Sequence, residues 1–238
     1  MYRAIIAGDV NARDTIAYRG RGNIYLNVTN RCSCDCDFCF RDFTSEIFGS
    51  DLTLTAEPDA ETITHEIERA FLDGPADEVA FVGMGEPTMR LDLVLAVTDW
   101  LRRRRITTRL VTNGHGQLLN PDLEVVSELA RAGLGAATIS LNAADPETYD
   151  LLCRPIFSKA HRAVIGFARD CIEQGIDTTL TAVDLPEADL DGCRQIATAL
   201  GASFRVRPYV PPDPDDQRRS RGLAYDEPAD DTSDTKEG

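Results

Sequence analysis

The chain has 238 residues, of which 42% are hydrophobic, and its formal net charge at pH 7 is -15. This length supplies one hydrophobic core and leaves no room for a second full domain, and the acidic excess disfavours nucleic acid and anionic membranes as partners. Lys159 and Lys236 are the only lysines, so nearly all basic residues are arginine. The acidic excess together with this scarcity of lysine favours a halophile with a salt-rich cytoplasm over a merely acidic mesophilic protein, because surface carboxylates keep proteins soluble at high salt.

Residues 1–22 form an N-terminal lead. They contain no apolar run of the roughly seven to fifteen residues that a signal peptide needs. Nowhere does the chain approach the roughly eighteen consecutive apolar residues of a membrane span. We therefore expect a cytoplasmic protein that does not enter the membrane. Thiols stay reduced in that compartment, so seven cysteines indicate metal or redox chemistry rather than disulfides.

Strand and helix patterns alternate from residue 23 onward. Alternating apolar and β-branched residues predict strands, and apolar residues at helical spacing predict the helices between them. The predicted strands are 23–29, 78–83, 107–112, 135–141, 176–185 and 203–210, and the predicted helices are 58–72, 91–105, 121–132, 158–174 and 187–200.

This alternation predicts an α/β fold. Strands that alternate with helices pair in parallel through right-handed crossovers. We predict one domain over residues 23–210, an incomplete (β/α)6 TIM-like barrel rather than a flat doubly wound sheet. Polar residues recur at the C-terminal ends of its strands, where a barrel keeps its active site. Residues 211–238 are rich in proline and charge, which predicts a disordered acidic tail.

The cysteine motif follows the first predicted strand. Cys32, Cys36 and Cys39 have the spacing C-x3-C-x2-C, and Cys34 is an additional thiol. Three thiolates on one short loop can each bind one iron of a cubane cluster and leave the fourth iron without a protein ligand. The alternative is a structural zinc site of four thiols. The spacing disfavours it, because zinc sites usually pair two short cysteine motifs separated by a longer segment.

This pattern, with Phe38 just before the third cysteine, resembles the signature of the radical S-adenosylmethionine superfamily. The resemblance implies that Cys32, Cys36 and Cys39 hold a [4Fe-4S] cluster and that S-adenosylmethionine chelates its open iron, with Phe38 near the adenine. It also implies reductive cleavage to methionine and a 5′-deoxyadenosyl radical that abstracts hydrogen from a substrate. A low-potential electron donor, a ferredoxin or a flavodoxin, is the implied partner.

Further candidate cofactor contacts lie at the ends of later strands. Gly83, Met84, Gly85, Glu86 and Pro87 resemble the Gly-Gly-Glu-Pro motif of the superfamily, with Met84 in place of the first glycine. That resemblance implies that the backbone and the Glu86 carboxylate contact the ammonium group of S-adenosylmethionine. Polar residues at the next two strand ends, where ribose or carboxylate oxygens could be reached, are Asn113, Ser140 and Asn142. For Ser140 and Asn142, a capping or barrel-mouth hydrogen bond is an equal alternative.

The last predicted strand carries Arg205, Arg207 and Tyr209 on one face. This set could hold an anionic substrate or the cofactor carboxylate, or its arginines could pair with the abundant carboxylates of the chain. Cys153 and two further isolated cysteines are interpreted as small buried hydrophobes. The lone His115 carries no signal of a catalytic base.

From residue 23 to residue 209 the order of motifs resembles one subgroup, the TatD family-associated radical S-adenosylmethionine proteins. That resemblance implies a functional link to a TatD-type metal-dependent hydrolase and leaves the substrate open. Two alternatives to a radical enzyme with a separate substrate remain: an activase that installs a radical on a partner protein, and a non-catalytic iron-sulfur or zinc interaction module for the hydrolase.

Overall fold

The computed structural model describes residues 14–209. Its strands are β1 (Ala17–Gly20), β2 (Asn23–Leu26), β3 (Glu46–Ile47), β4 (Ser50–Asp51), β5 (Val79–Phe81), β6 (Thr108–Thr112), β7 (Ala136–Ser140), β8 (Asp177–Val183) and β9 (Ser203–Arg207). Its α-helices are α1 (Ala60–Leu72), α2 (Leu91–Arg103), α3 (Gly116–Leu119), α4 (Val125–Ala132), α5 (Pro146–Cys153), α6 (Ala160–Glu173) and α7 (Leu190–Leu200). Short 3-10 turns cover Phe40–Asp42 and Pro87–Arg90.

One seven-stranded sheet organises the domain in the order β1-β2-β5-β6-β7-β8-β9. β1 pairs antiparallel with β2, and every later neighbouring pair is parallel. Within the described residues β1 and β9 are the two edges, so the sheet stays open instead of closing into a complete barrel. The predicted α/β fold with six parallel strands is confirmed, because each predicted strand and each predicted helix has an observed counterpart.

The two faces of the sheet differ in chemistry. Ile24, Phe81, Leu110 and Leu180 point to the outer face, are fully buried and belong to the core that the helices cover. Alternation along the strands turns their neighbours to the inner face, which carries polar and charged residues in β6 to β9. The hydrophobic core therefore lies between sheet and helices, and the inner face is the more polar of the two.

Some elements depart from the prediction. Residues 17–20, assigned to the N-terminal lead, form β1 and extend the sheet. Helix α5 is absent from the predicted helices, although Asp145 caps it by accepting from the Thr148 amide and Pro146 opens its first turn. Residues 1–13 and the predicted tail at 211–238 lie outside the described residues. No helix between residues 14 and 209 has the length and apolar character needed to cross a membrane.

Candidate cluster and cofactor site

The cysteine loop, residues 32–39, follows β2 at the C-terminal end of the parallel strands. Its backbone is held by the end of α5: the Asp35 amide donates to the Cys153 carbonyl oxygen (3.1 Å) and the Asp37 amide to that of Leu152 (3.0 Å). The last carbonyls of a helix have no partner within the helix, so they are available for such bonds. Helix α5 therefore helps to set the conformation of the cysteine loop.

Five thiols meet here, four on the loop itself and Cys153 at the end of α5. Cys32, Cys36 and Cys39 are partly buried, and Cys34 and Cys153 are buried. The Cys34 thiol lies within hydrogen-bonding reach of both Cys32 and Cys36, and the Cys153 thiol reaches Cys36. Donation from Cys153 and Cys34 lowers the pKa of Cys36 to about 4, whereas burial raises the pKa of Cys39 to about 11. Donation from Cys34 also lowers the pKa of Cys32, so the protein stabilises the anions of Cys32 and Cys36 but not that of Cys39.

The positions of the thiols distinguish a site for a single zinc ion from a site for an iron-sulfur cluster. Within residues 14–209, no three His, Cys, Asp or Glu side chains are grouped so that they could hold a single metal ion. The zinc alternative, which needs four donors around one ion, therefore gains no support. A cubane cluster binds each thiolate at a different iron, so its ligands need not meet at one point. Three thiols on one loop, lining one pocket, fit a [4Fe-4S] cluster.

The glycine-rich loop, residues 83–87, packs against residues 27–31, which lead from β2 into the cysteine loop. A Cβ at Gly85 would overlap the Arg31 carbonyl oxygen, and a Cβ at Gly83 would overlap the Asn27 side chain. The Glu86 amide donates to the Arg31 carbonyl oxygen at 2.8 Å. The two glycines therefore serve the close approach of two protein loops.

Glu86 is buried and its carboxylate is used by the protein itself. It accepts hydrogen bonds from the Thr88 hydroxyl (2.6 Å), the Thr112 hydroxyl (2.8 Å) and the Asn113 amide (2.7 Å). Burial raises the pKa of Glu86, and these donors oppose that rise. The side chain ties the end of β5 to the end of β6. The Thr88 amide donates to it as well (3.0 Å). The contact of this carboxylate with the cofactor ammonium stays a prediction, and the carboxylate would have to make that contact in addition to four protein hydrogen bonds.

Asn113 faces the cysteine loop. Its side-chain amide donates to the Ser33 hydroxyl at 2.9 Å and lies 3.6 Å from the Cys34 sulfur and 3.8 Å from the Cys32 sulfur. Its side-chain oxygen accepts from the His115 amide. Asn113 is therefore positioned to support the loop as well as to meet a ligand.

One pocket brings together eleven of the twelve predicted site residues; Pro87 is buried in the 3-10 turn behind it. Phe38 and Ser140 line it, and Asn142, at a positive φ of 61°, donates to the Cys153 sulfur at 3.5 Å. The eleven residues are Cys32, Cys36, Phe38, Cys39, Gly83, Met84, Gly85, Glu86, Asn113, Ser140 and Asn142. Their roles toward a cluster and a cofactor stay predictions.

The structure adds residues that the sequence did not single out for the site. His115 is fully buried; its Nδ1 lies 2.9 Å from the Ser33 hydroxyl and its Nε2 lies 2.9 Å from the Tyr149 hydroxyl. Burial lowers the pKa of His115 to about 4, which keeps the ring neutral. Tyr149 and Cys153 come from α5, and no local motif announces a contact with a loop more than a hundred residues earlier.

A thiol-bearing loop that faces a glycine-rich loop at the C-terminal end of a parallel sheet defines an α/β protein of the iron-sulfur class. The sequence model of the Radical SAM superfamily matches residues 26–198, which is most of the chain. The chain belongs to the radical S-adenosylmethionine superfamily. Proteins of this superfamily use a [4Fe-4S] cluster and S-adenosylmethionine.

Two curated relatives and one solved structure illustrate the similarity. GTP 3′,8-cyclase of Staphylococcus aureus (strain Mu3) is 30% identical over 133 residues, which are 52% of this chain and 34% of the relative. Human molybdenum cofactor biosynthesis protein 1 is 25% identical over 214 residues, 87% of this chain and 32% of the relative. The structure of Streptococcus suis SuiB bound to S-adenosylmethionine shares the fold, with a TM-score of 0.61 at 20% identity, over 79% of this chain and 40% of SuiB. The chain thus spans about a third of the length of these curated relatives.

Proposed function

We propose that this chain is a radical S-adenosylmethionine enzyme in which Cys32, Cys36 and Cys39 hold the [4Fe-4S] cluster. The observation that carries the proposal is the single pocket shared by these thiols and the residues of the glycine-rich loop. When bound, the cluster and S-adenosylmethionine supply reductive cleavage to methionine and a 5′-deoxyadenosyl radical that abstracts hydrogen from a substrate.

The protein prepares this pocket by charge and by fixed geometry. Arg41 and Arg207 lie close enough to Cys36 to favour its thiolate, after the larger effect of the neighbouring thiols. Glu86 and Asn113 link the strand ends on which the pocket is built. A thiolate ligand must be deprotonated to bind iron, so this electrostatic environment suits binding of iron by Cys36.

Cys34 and Cys153 touch the same thiols without belonging to the C-x3-C-x2-C motif. Cys34 is buried and lines the same pocket, and its backbone forms a β-bridge with Pro155. Cys153 is held by the Asn142 amide. We assign both as supporting thiols, and this makes them matched controls for the three proposed ligands.

One partner is proposed from the chemistry and the other from the family resemblance. A ferredoxin or a flavodoxin would supply the electron that the cluster needs at low potential. A TatD-type hydrolase is the proposed functional partner because the order of motifs resembles the TatD family-associated subgroup. Six of the seven cysteines, Cys34, Cys36, Cys39, Cys153, Cys171 and Cys193, are thiols outside any disulfide in the structure, which suits the proposed reducing cytoplasm. The GTP chemistry of the curated relatives is not carried over, since this chain spans only 34% of the cyclase.

The test is anaerobic reconstitution with iron and sulfide, followed by reduction in the presence of S-adenosylmethionine. We expect about four irons per chain, together with formation of methionine and 5′-deoxyadenosine. Cys36→Ala should lose the cluster and the products, whereas Cys34→Ala and Cys153→Ala should keep both. A protein that binds zinc without iron or sulfide, or a Cys36→Ala variant that cleaves the cofactor like the wild type, would refute the proposal.

A further inference from the structure

A second cavity, of about 760 Å³, lies on the inner face of the sheet beside the cluster pocket. Its walls come from both edge strands and all the strands between them. Val82, Val111 and Arg207 line this cavity and the cluster pocket alike. A molecule bound here would therefore adjoin the site proposed for the cluster and its cofactor.

The charge of this cavity is opposite to that of the protein. Four arginines and one glutamate line it, in a chain whose net charge is -15. Arg109 is already engaged, since it pairs with Glu78 at 2.9 Å and donates to the Thr138 hydroxyl. Arg21 lies over the Phe48 ring at 5.8 Å. Arg205 and Arg207, which point to the same face of β9, are left for another partner.

Arg207 carries an unmet need for an acceptor. Within residues 14–209 neither Arg205 nor Arg207 forms an ion pair with a carboxylate, and the buried Nε of Arg207 has no hydrogen-bond partner. The Nη2 atom of Arg207 donates to the neutral Asn142 side chain at 3.3 Å. The Cys36 thiolate lies close enough to act on the charge of Arg207, but it leaves the Nε nitrogen without an acceptor, and burying a guanidinium nitrogen in that state is costly. The arrangement is that of a site whose anion comes from a ligand.

The opposite wall of the cavity is aromatic. The rings of Tyr25 and Phe48 stack with centroids 5.9 Å apart and an interplanar angle of 20°, and Tyr18 lies against Tyr25. Phe48 is 52% exposed although its φ is 51°, a conformation unfavourable for a bulky residue. The ring can occupy its position only because residue 20 is glycine, since a Cβ there would overlap the Phe48 ring. An exposed ring maintained in this way offers a flat apolar surface.

We propose that this cavity binds the substrate, and that the substrate is a small organic anion with a planar apolar part. Its carboxylate or phosphate group binds Arg205 and Arg207, and its planar part lies on Tyr25 and Phe48. This inference rests on the proposed function, because only an enzyme has a substrate. Binding of the anion to these residues, however, requires neither cluster nor radical. Tyr209, predicted to share the face of the two arginines, follows the end of β9 and lies outside the lining of the cavity.

The experiment uses three probes of one shape: 4-nitrobenzoate, 4-nitrophenyl phosphate and uncharged 4-nitrobenzyl alcohol. Binding to the full chain is measured by titration calorimetry, with and without the reconstituted cluster. We expect one or both anions to bind at least about tenfold more tightly than the alcohol, and the preferred anion identifies the group. Arg205→Gln and Arg207→Gln should weaken anion binding about tenfold or more, and Arg131→Gln, the same change on exposed α4, should leave it unchanged.

Several outcomes overturn the inference. Equal affinity for the anions and the alcohol, absence of anion binding, or weakening by Arg131→Gln as large as by Arg205→Gln would each do so. Since Arg205 is exposed, its variant tests the site even if Arg207→Gln does not fold. If Arg207→Gln abolishes binding of S-adenosylmethionine to the reconstituted protein while both anions still bind, Arg207 serves the cofactor carboxylate and the substrate assignment is wrong. Failure of cofactor cleavage with intact anion binding would instead contradict the proposed function alone.

Discussion

The contact between the glycine-rich loop and the segment that leads into the cysteine loop leaves no space for a side chain at Gly85. A Cβ there would overlap the Arg31 carbonyl oxygen and lie 2.6 Å from the carbonyl oxygen of Thr29. Both are backbone atoms, so the loops must separate, which stretches the 2.8 Å bond from the Glu86 amide to Arg31. Overpacking costs about 1–3 kcal/mol and an unpaired buried amide about 1–3 kcal/mol, so Gly85→Ala should lower the free energy of unfolding by about 2–6 kcal/mol.

Urea denaturation of the cluster-free chain, followed by circular dichroism, measures this loss, and the iron content after reconstitution reports on the cysteine loop. The matched control is Gly166→Ala in α6, where an added Cβ meets no atom within 4 Å. Alanine is the better helix former, so this variant should gain up to about 1 kcal/mol. The reasoning fails if Gly85→Ala matches Gly166→Ala in both unfolding free energy and iron content.

Two further predictions concern buried charge. Because burial holds the pKa of His115 at about 4, below the unfolded value of about 6.5, its contribution to stability is present above pH 6.5 and is lost as the pH falls toward 4. We compare the unfolding free energies of the wild type and of His115→Gln. Their difference, wild type minus variant, should fall by about 1–3 kcal/mol as the pH is lowered from 7.5 to 4.5. A difference that does not depend on pH would contradict a neutral buried ring. Glu57 forms ion pairs with Arg31 at 2.6 Å and with Arg90 at 3.2 Å. The substitution Glu57→Gln should therefore lower the free energy of unfolding by about 1–3 kcal/mol. Glu128→Gln, in the surface ion pair with exposed Arg131 on α4, should change the unfolding free energy by less than about 0.5 kcal/mol in the same urea series, and equal losses would contradict a special role for the Glu57 pairs.

The order of strands and helices is readable from the sequence because each element carries its own local pattern. Helix α4 begins at Val125 rather than at the predicted residue 121, since Pro121 and Asp122 form the turn before it. Helix α5 was missed because its apolar face is short. Strand β1 shows its role only through pairing with β2, and pairing is a property of two segments rather than of one.

The site is only partly readable from the sequence, for the same reason. The cysteine spacing is local, and so is the run from Gly83 to Pro87. What each residue contacts depends on other strands: Glu86 reads as an acceptor for a ligand, yet residues of β6 and the 3-10 turn occupy its oxygens. Cys153 reads as a small buried hydrophobe, yet it contacts Cys36 because α5 docks on the cysteine loop.

The supports of the cysteine loop have a common consequence for its chemistry. The glycine-rich loop, Asn113 and α5 each hold it through a different contact, so its thiols are placed before any iron arrives. Preorganisation of this kind lowers the conformational entropy that ligand binding must overcome. Arg207, by contrast, adjoins the same pocket with a buried nitrogen that lacks an acceptor. Hence the protein fixes the positions of the proposed metal ligands through its own contacts. On our proposal, the positive charge of the inner face of the sheet is instead neutralised by the molecule that binds there.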